Sequence, residues 1–331
     1  GRICAEPCGR TLDSGRLWSE PPASFMSKFI NTPPRSFNTV NQSAPTAAEP
    51  VEFELRPGRT LEATGYEPVG RVLLEISYDG SEYGGWQIQP NCASIQGVLQ
   101  EKLTKLFGGH AIHLIGSSRT DAGVHAIGFA ASFLTPGRPI IPMDRLARAL
   151  NRQLPPAIRI RSLRETPLDF HTRYDAVGKA YTYVFNRGLD TPFAGRYSWQ
   201  VYPDQNLAAM AEACAVLTGT HDYSSFVAER KNIEDAVRTI YSIRIQDFGQ
   251  YRCVTFVGNG FLYKMVRALI GAIEAVGRNK LTPRELAAVL AARDRTAAPE
   301  TAPPCGLFLM KVFFEPEDPR DYRLEQVPFF M

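Results

Sequence analysis

The 331-residue sequence has no stretch of about 18 consecutive apolar residues, so no segment of it reads as a membrane-spanning helix. Its six cysteines (Cys4, Cys8, Cys92, Cys214, Cys253 and Cys305) form no CxxC pair, and its five histidines do not cluster. That leaves no recognisable zinc site and no disulfide framework, which suits a reducing, cytoplasmic setting. There is no Walker-type phosphate loop and no GxGxxG fingerprint, so no nucleotide cofactor is implied. No short-period repeat is present, which argues against a solenoid or propeller. An excess of one charge is also missing, since 37 Lys and Arg face 34 Asp and Glu.

What is present is ordinary globular material, 44% hydrophobic and 21% charged, enough for one or two cores. The charge is unevenly spread. Between Arg138 and Arg187 there are ten basic and four acidic side chains. Such a window suits a polyanion, and it equally suits a solvated surface.

Residues 1–69 are rich in Pro, Ser, Thr, Ala and Glu without sustained apolar periodicity, and are expected to form a disordered extension. They contain no cleavable apolar signal segment, and their acids argue against a transit peptide. Beyond them the pattern alternates between strands and helices. Val72, Leu74, Ile76 and Tyr78 alternate as a strand ending at Asp79-Gly80. Ser94 caps an expected helix with an apolar stripe of Ile95, Val98, Leu99, Leu103 and Leu106. A short strand over 111–116, a loop, and a strand with Ile127, Phe129, Ala131 and Phe133 on one face follow, then a helix over 143–150 and a strand over 158–163. The second half offers strands over 178–185, 237–245, 251–257 and 307–314, and helices over 207–217, 261–276 and 283–292. Thr282-Pro283-Arg284-Glu285 is a capping box with proline at the first helical position. The economical reading is two α+β halves, residues 70–175 and 176–316, each a sheet with packed helices, followed by a tail over 317–331.

One loop concentrates chemistry. Gly116-Ser117-Ser118-Arg119-Thr120-Asp121-Ala122-Gly123-Val124-His125-Ala126 packs small residues, hydroxyls, an arginine, an aspartate and a histidine between two strands. Small residues let a substrate approach the backbone, and a carboxylate there can act as nucleophile or base. Taken alone, Asp121 reads more simply as a turn or helix-cap residue. Tyr181 reads as a strand aromatic, and Arg267 as a solvated helix residue. At 100° per residue Arg267 shares a helix face with Lys264, Ala268, Gly271 and Ala275, so a small-residue face is open to close approach. Trp86 fits either a core or a dimer contact.

The loop resembles the RTDAGVHA signature of the tRNA pseudouridine synthase A (TruA) family. Further segments resemble that family in the same order: Tyr78 to Gln87, Ser94-Ile95-Gln96, Asp169-Phe170-His171-Thr172-Arg173, Lys179-Ala180-Tyr181-Thr182-Tyr183, and Gly219 to Phe226. Val237 to Ile240, Phe261 to Arg267 and Gly306 to Leu309 complete the set. The resemblance runs from about Arg71 to Glu315. Thr172 stands where alanine is usual, a position expected beside the RNA path.

The resemblance implies an α/β (α+β) pseudouridine synthase fold, two similar subdomains around a basic cleft. It implies a cofactor-free isomerase, acting as a homodimer on uridines 38 to 40 of the tRNA anticodon stem-loop. It assigns Asp121 as the nucleophile, Arg267 as its basic partner, Tyr181 as the ring against the target base, and Arg119 as the arginine that holds the base out of the stem. The chemistry agrees with such residues. Pseudouridine formation breaks the C1′–N1 bond, turns the uracil and rejoins it through C5, consuming nothing. The base must leave its stack, which costs a few kcal/mol and calls for an aromatic wall and a cationic wedge. His125, His171 and His221 are expected to serve structure or RNA contact. Rival readings are the same chemistry on another RNA, a non-catalytic RNA-binding relative, and a nucleosidase. The last normally needs a second carboxylate or a metal-bound water.

Overall fold

The computed structural model describes residues 61–228 and 235–331. Among these residues there are ten strands: β1 (Pro68–Tyr78), β2 (Ile115–Gly116), β3 (His125–Pro136), β4 (Ile158–Thr166), β5 (Ala176–Asn186), β6 (Trp199–Gln200), β7 (Gly219–Asp222), β8 (Val237–Phe248), β9 (Tyr251–Gly258) and β10 (Leu307–Phe314). The α-helices are α1 (Ile95–Leu106), α2 (Met143–Gln153), α3 (Pro192–Tyr197), α4 (Leu207–Leu217), α5 (Met265–Gly277) and α6 (Pro283–Ala292). No helix among the described residues is long and apolar enough to cross a membrane.

The fold is mixed α/β. The expectation of a separate sheet in each half is corrected, because the strands join into one sheet ordered β4-β1-β3-β10-β5-β9-β8-β7. The joint is β10. It pairs parallel with β3 (Phe308 beside His125) and antiparallel with β5 (Leu309 beside Tyr181). Each half would otherwise expose a strand edge with unsatisfied backbone groups, and the last strand satisfies both. It also sets the start of the Asp121 loop's return strand one strand away from the strand that carries Tyr181.

Side chains of α1, α2, α4, α5 and α6 share one core with one face of this sheet, including Leu99, Leu146, Met210, Leu269 and Leu286. Trp86 belongs to that core. It is 1% exposed and stacks on Phe129 at 4.1 Å between ring centres, which settles it as packing. The opposite face carries a second cluster of Phe308, Met310 and Phe313, against which Leu324 and Val327 of the C-terminal residues are buried. The tail therefore covers the sheet.

Four local expectations are corrected. Pro68 already pairs with Pro136, and Tyr66 donates to the Leu134 carbonyl, so residues 66–69 join the fold. The rest of the expected extension up to residue 60 lies outside the described residues. Ile127 packs against the opposite face from Phe129, because the β1–β3 register shifts between Ile76 and Tyr78; such an irregularity turns the alternation over. Thr172, expected beside the RNA path, has its side chain buried inside the fold, where its hydroxyl donates to Ser132 Oγ at 2.5 Å. The strand expected over 111–116 contracts to its last two residues.

The starts of α1 and α6 were the most legible features. Ser94 accepts from the Gly97 amide, and Thr282 and Glu285 form the reciprocal capping box of α6. Thr282→Ala is expected to lower unfolding free energy by about 1 kcal/mol. Urea denaturation, read beside unchanged RNA modification, checks this.

Candidate active site

The Asp121 loop joins β2 to β3, which pair as a hairpin (Ile115 beside Ser132). It is held from below. Thr120 Oγ1 lies 2.9 Å from the Tyr78 hydroxyl, and the Thr120 carbonyl accepts from the Trp86 amide at 3.2 Å. Gly85 makes this contact possible: at φ +91° it lies where a Cβ would fall 2.3 Å from the Thr120 oxygen. The Tyr78 to Gln87 segment is thus a backbone platform beneath the loop. The Val124 amide closes a turn onto the Asp121 carbonyl at 3.2 Å, leaving the carboxylate pointing outward from a constrained backbone.

Arg267 reaches that carboxylate from the other half of the chain. Its Nη1 donates to Asp121 Oδ2 at 2.5 Å, and both side chains are 12% exposed. Its Nε donates to the Ala302 carbonyl at 2.8 Å, while the Ala302 amide donates back to the Arg267 carbonyl at 3.1 Å. The small-residue face of α5 explains the arrangement. A Cβ on Gly271 would fall 1.9 Å from the Glu300 carbonyl oxygen, so the glycine admits the segment that fixes the guanidinium. Pro304 in the same segment approaches Gly123 of the loop. Helix, segment and loop are therefore in register before any substrate arrives, and the pair is pre-oriented.

Tyr181 lies on β5 in this site, 6% exposed, near enough to Asp121 for the carboxylate to act on its hydroxyl. Its phenol is pushed up to about 12, mainly by burial, with the Asp121 charge adding and the nearby Ser118 hydroxyl opposing. The ring is therefore a neutral donor at physiological pH. Phe261 meets it edge-on at 5.2 Å between ring centres. The sequence pattern placed Phe261 inside a helix, and this is corrected: α5 starts at Met265, after Lys264 adopts φ 58°. That left-handed residue stops the helix short and frees Phe261 to wall the site.

Arg119 stands apart. Its side chain is exposed on the outer part of the loop. The structure thus brings Asp121, Arg267 and Tyr181 together and leaves Arg119 at the rim. His125 is buried and stacked on Phe308, with Nε2 3.1 Å from the Cys305 carbonyl oxygen, a structural post between β3 and β10. His221 Nε2 lies 3.0 Å from the Thr218 carbonyl oxygen, and His171 Nδ1 accepts from the Arg173 amide. Phe261 and Lys179 were missed as site residues, although Lys179 shares a strand face with Tyr181 by simple alternation.

No group of three His, Cys, Asp or Glu side chains among the described residues is placed to hold a metal. A carboxylate paired with arginine beside a buried phenol is equipped for nucleophilic or proton-transfer chemistry. The sequence pattern described as tRNA pseudouridine synthase matches residues 75–175 and 213–315, spanning both halves of this site.

The chain belongs to the tRNA pseudouridine synthase family.

It is similar to the tRNA pseudouridine synthase A of Syntrophotalea carbinolica, with 43% identity over 249 residues, covering 75% of this chain and 97% of that relative. The tRNA pseudouridine synthase A of Geobacillus kaustophilus is 39% identical over 249 residues, covering 75% and 95%. That of Exiguobacterium sp. is 40% identical over 248 residues, covering 75% and 99%. The family consists of isomerases that convert uridine to pseudouridine. Asp121, Tyr181 on β5, and Arg267 all lie within, or between, the matched segments of this synthase.

Proposed function

We propose that this tRNA pseudouridine synthase isomerises uridines 38, 39 and 40 in the anticodon stem-loop of cytoplasmic tRNA, with Asp121 as the essential group. The supporting observation is the Asp121–Arg267 pair at 2.5 Å, held in a walled pocket with Tyr181. The carboxylate attacks the ribose or takes the C2′ proton, and the C1′–N1 bond breaks. The uracil turns against Tyr181 and Phe261 and rejoins C1′ through C5, which displaces the carboxylate from C1′ or, where the carboxylate took the C2′ proton, is followed by return of that proton to C2′. The proton lost from C5 is balanced by the one gained at N1. Arg119, exposed at the rim, occupies the space the base leaves in the stem. The basic side chains of α2 and β4, among them Arg145, Arg152, Arg159 and Arg161, are exposed and offer a track for the RNA backbone. The protein acts as a homodimer whose two copies share one tRNA.

Purified protein incubated with tRNA carrying uridines at 38 to 40 is expected to convert those positions and no others, as read by primer extension after carbodiimide labelling. Modification confined to another arm of the tRNA would refute the stem-loop assignment. Absence of any pseudouridine would refute the activity. Light scattering with and without tRNA tests the dimer.

A further inference from the structure

Lys179 is a half-buried cation that the reaction as described leaves without a task. It lies two residues before Tyr181 on β5, so both side chains project from the same strand face. Its Nζ donates to the Ser117 carbonyl oxygen at 2.7 Å, the first residue of the loop that carries Asp121. A carbonyl satisfies one of the three ammonium donors and none of its charge.

Among the described residues, the charged groups that act on Lys179 are cationic, Arg173 from the turn after β4 and Arg238 of β8. The sheet brings them together. Gly258 of β9 sits beside Lys179 on one side and Ile240 on the other, so the start of β8 reaches the start of β5. Arg173 is exposed, with its guanidinium 5.8 Å over the Tyr174 ring. Arg238 donates to the Asp235 and Val237 carbonyls, and its ion pair with the exposed Asp235 is long, at 3.9 Å. Burial together with these two like charges brings Lys179 down to about 8. Gathering three cations at one end of a sheet is unfavourable unless an anion joins them.

We propose that Lys179, Arg173 and Arg238 form a seat for an RNA backbone phosphate adjoining the target uridine, and that Lys179 couples this seat to the Asp121 loop through Ser117. The proposal rests on the reading that a structured RNA is the substrate. It adds which phosphate-binding groups stand next to the chemistry, and how phosphate binding is sensed there. The phosphate oxygens take the two free Lys179 donors. The remaining donor keeps the Ser117 carbonyl in place, so the loop is braced when the neighbouring nucleotide is seated.

The test is binding of tRNA to the full chain, measured by fluorescence anisotropy across salt and pH. Lys179→Met is expected to weaken binding about tenfold and to make the plot of log affinity against log salt shallower by about one. Arg173→Gln is expected to shift the slope in the same direction. A bound phosphate raises the Lys179 pKa above its free value. The wild-type protein therefore takes up a proton on binding, and its affinity falls as pH rises past about 8. Lys179→Arg, charged throughout, is expected to keep the affinity and lose that fall. If Lys179→Met keeps the wild-type affinity and salt slope while turnover drops, Lys179 only braces the loop and the seat is refuted. If the Met variant does not fold, the slope of Arg173→Gln decides, since that side chain is exposed. A wild-type protein that binds tRNA with this salt and pH dependence yet forms no pseudouridine would defeat the proposed activity and leave the seat standing.

Discussion

Asp121→Asn is expected to reduce pseudouridine formation by at least about a hundredfold while leaving tRNA affinity close to wild type. The amide has nearly the volume of the carboxylate and keeps an oxygen for Arg267 Nη1, so the 2.5 Å contact retains a partner. The loop backbone does not depend on the carboxylate. It is held by the Thr120 contacts to Tyr78 and Trp86 and by the turn at Val124. An asparagine amide, however, neither attacks a sugar carbon nor accepts a proton at useful rates. Single-turnover conversion of tRNA, measured beside a binding isotherm, separates the two quantities. Retention of more than about a hundredth of the wild-type rate would show that Asp121 is dispensable.

Arg267→Met is expected to slow turnover by roughly tenfold to a hundredfold, more than it disturbs the fold. Methionine covers most of the surface that the arginine stem covers on α5. Two hydrogen bonds are lost, to Asp121 Oδ2 and to the Ala302 carbonyl. Hydrogen bonds involving a charged group contribute about 1.5–3 kcal/mol each when buried, and less here because both partners of the ion pair retain some exposure. The catalytic cost is larger because, among the described residues, the guanidinium is the group that holds the Asp121 carboxylate from the other half of the chain. Arg267→Lys restores charge but cannot fork to Ala302 and Asp121 together, so partial recovery is expected. In the double variant with Asp121→Asn the rate should be no lower than in Asp121→Asn alone, as befits residues acting as a unit. Weakened tRNA binding with an unchanged single-turnover rate would assign Arg267 to a phosphate instead.

Legibility in the sequence followed the range of the forces involved. The α4, α6 and β10 bounds were readable to the residue, because a cap, a proline, a terminating glycine and a short bounded apolar run all act over a few neighbours. The start of α5 was not. Its apolar stripe extends back to Leu262, and nothing local announces that Lys264 turns left-handed. Ile127 kept the right spacing but the wrong face, since the register shift is a property of the β1–β3 pair.

The order of residues alone carried the loop, the aspartate, the small-residue face of α5 and the family resemblance. Each is local chemistry or spacing along one element. Folding in three dimensions decided what those pieces meet. It made one sheet of two, because β10 could satisfy two edges at once. It filled the small-residue face with residues 300–302, and through their backbone aimed Arg267 at Asp121 across 146 positions of sequence. It moved Trp86 and Thr172 into the core and left Arg119 at the rim. It also gathered Lys179, Arg173 and Arg238 from three separate segments. Pairings of that separation depend on which surfaces exclude water together, and a single chain read in order does not contain that information.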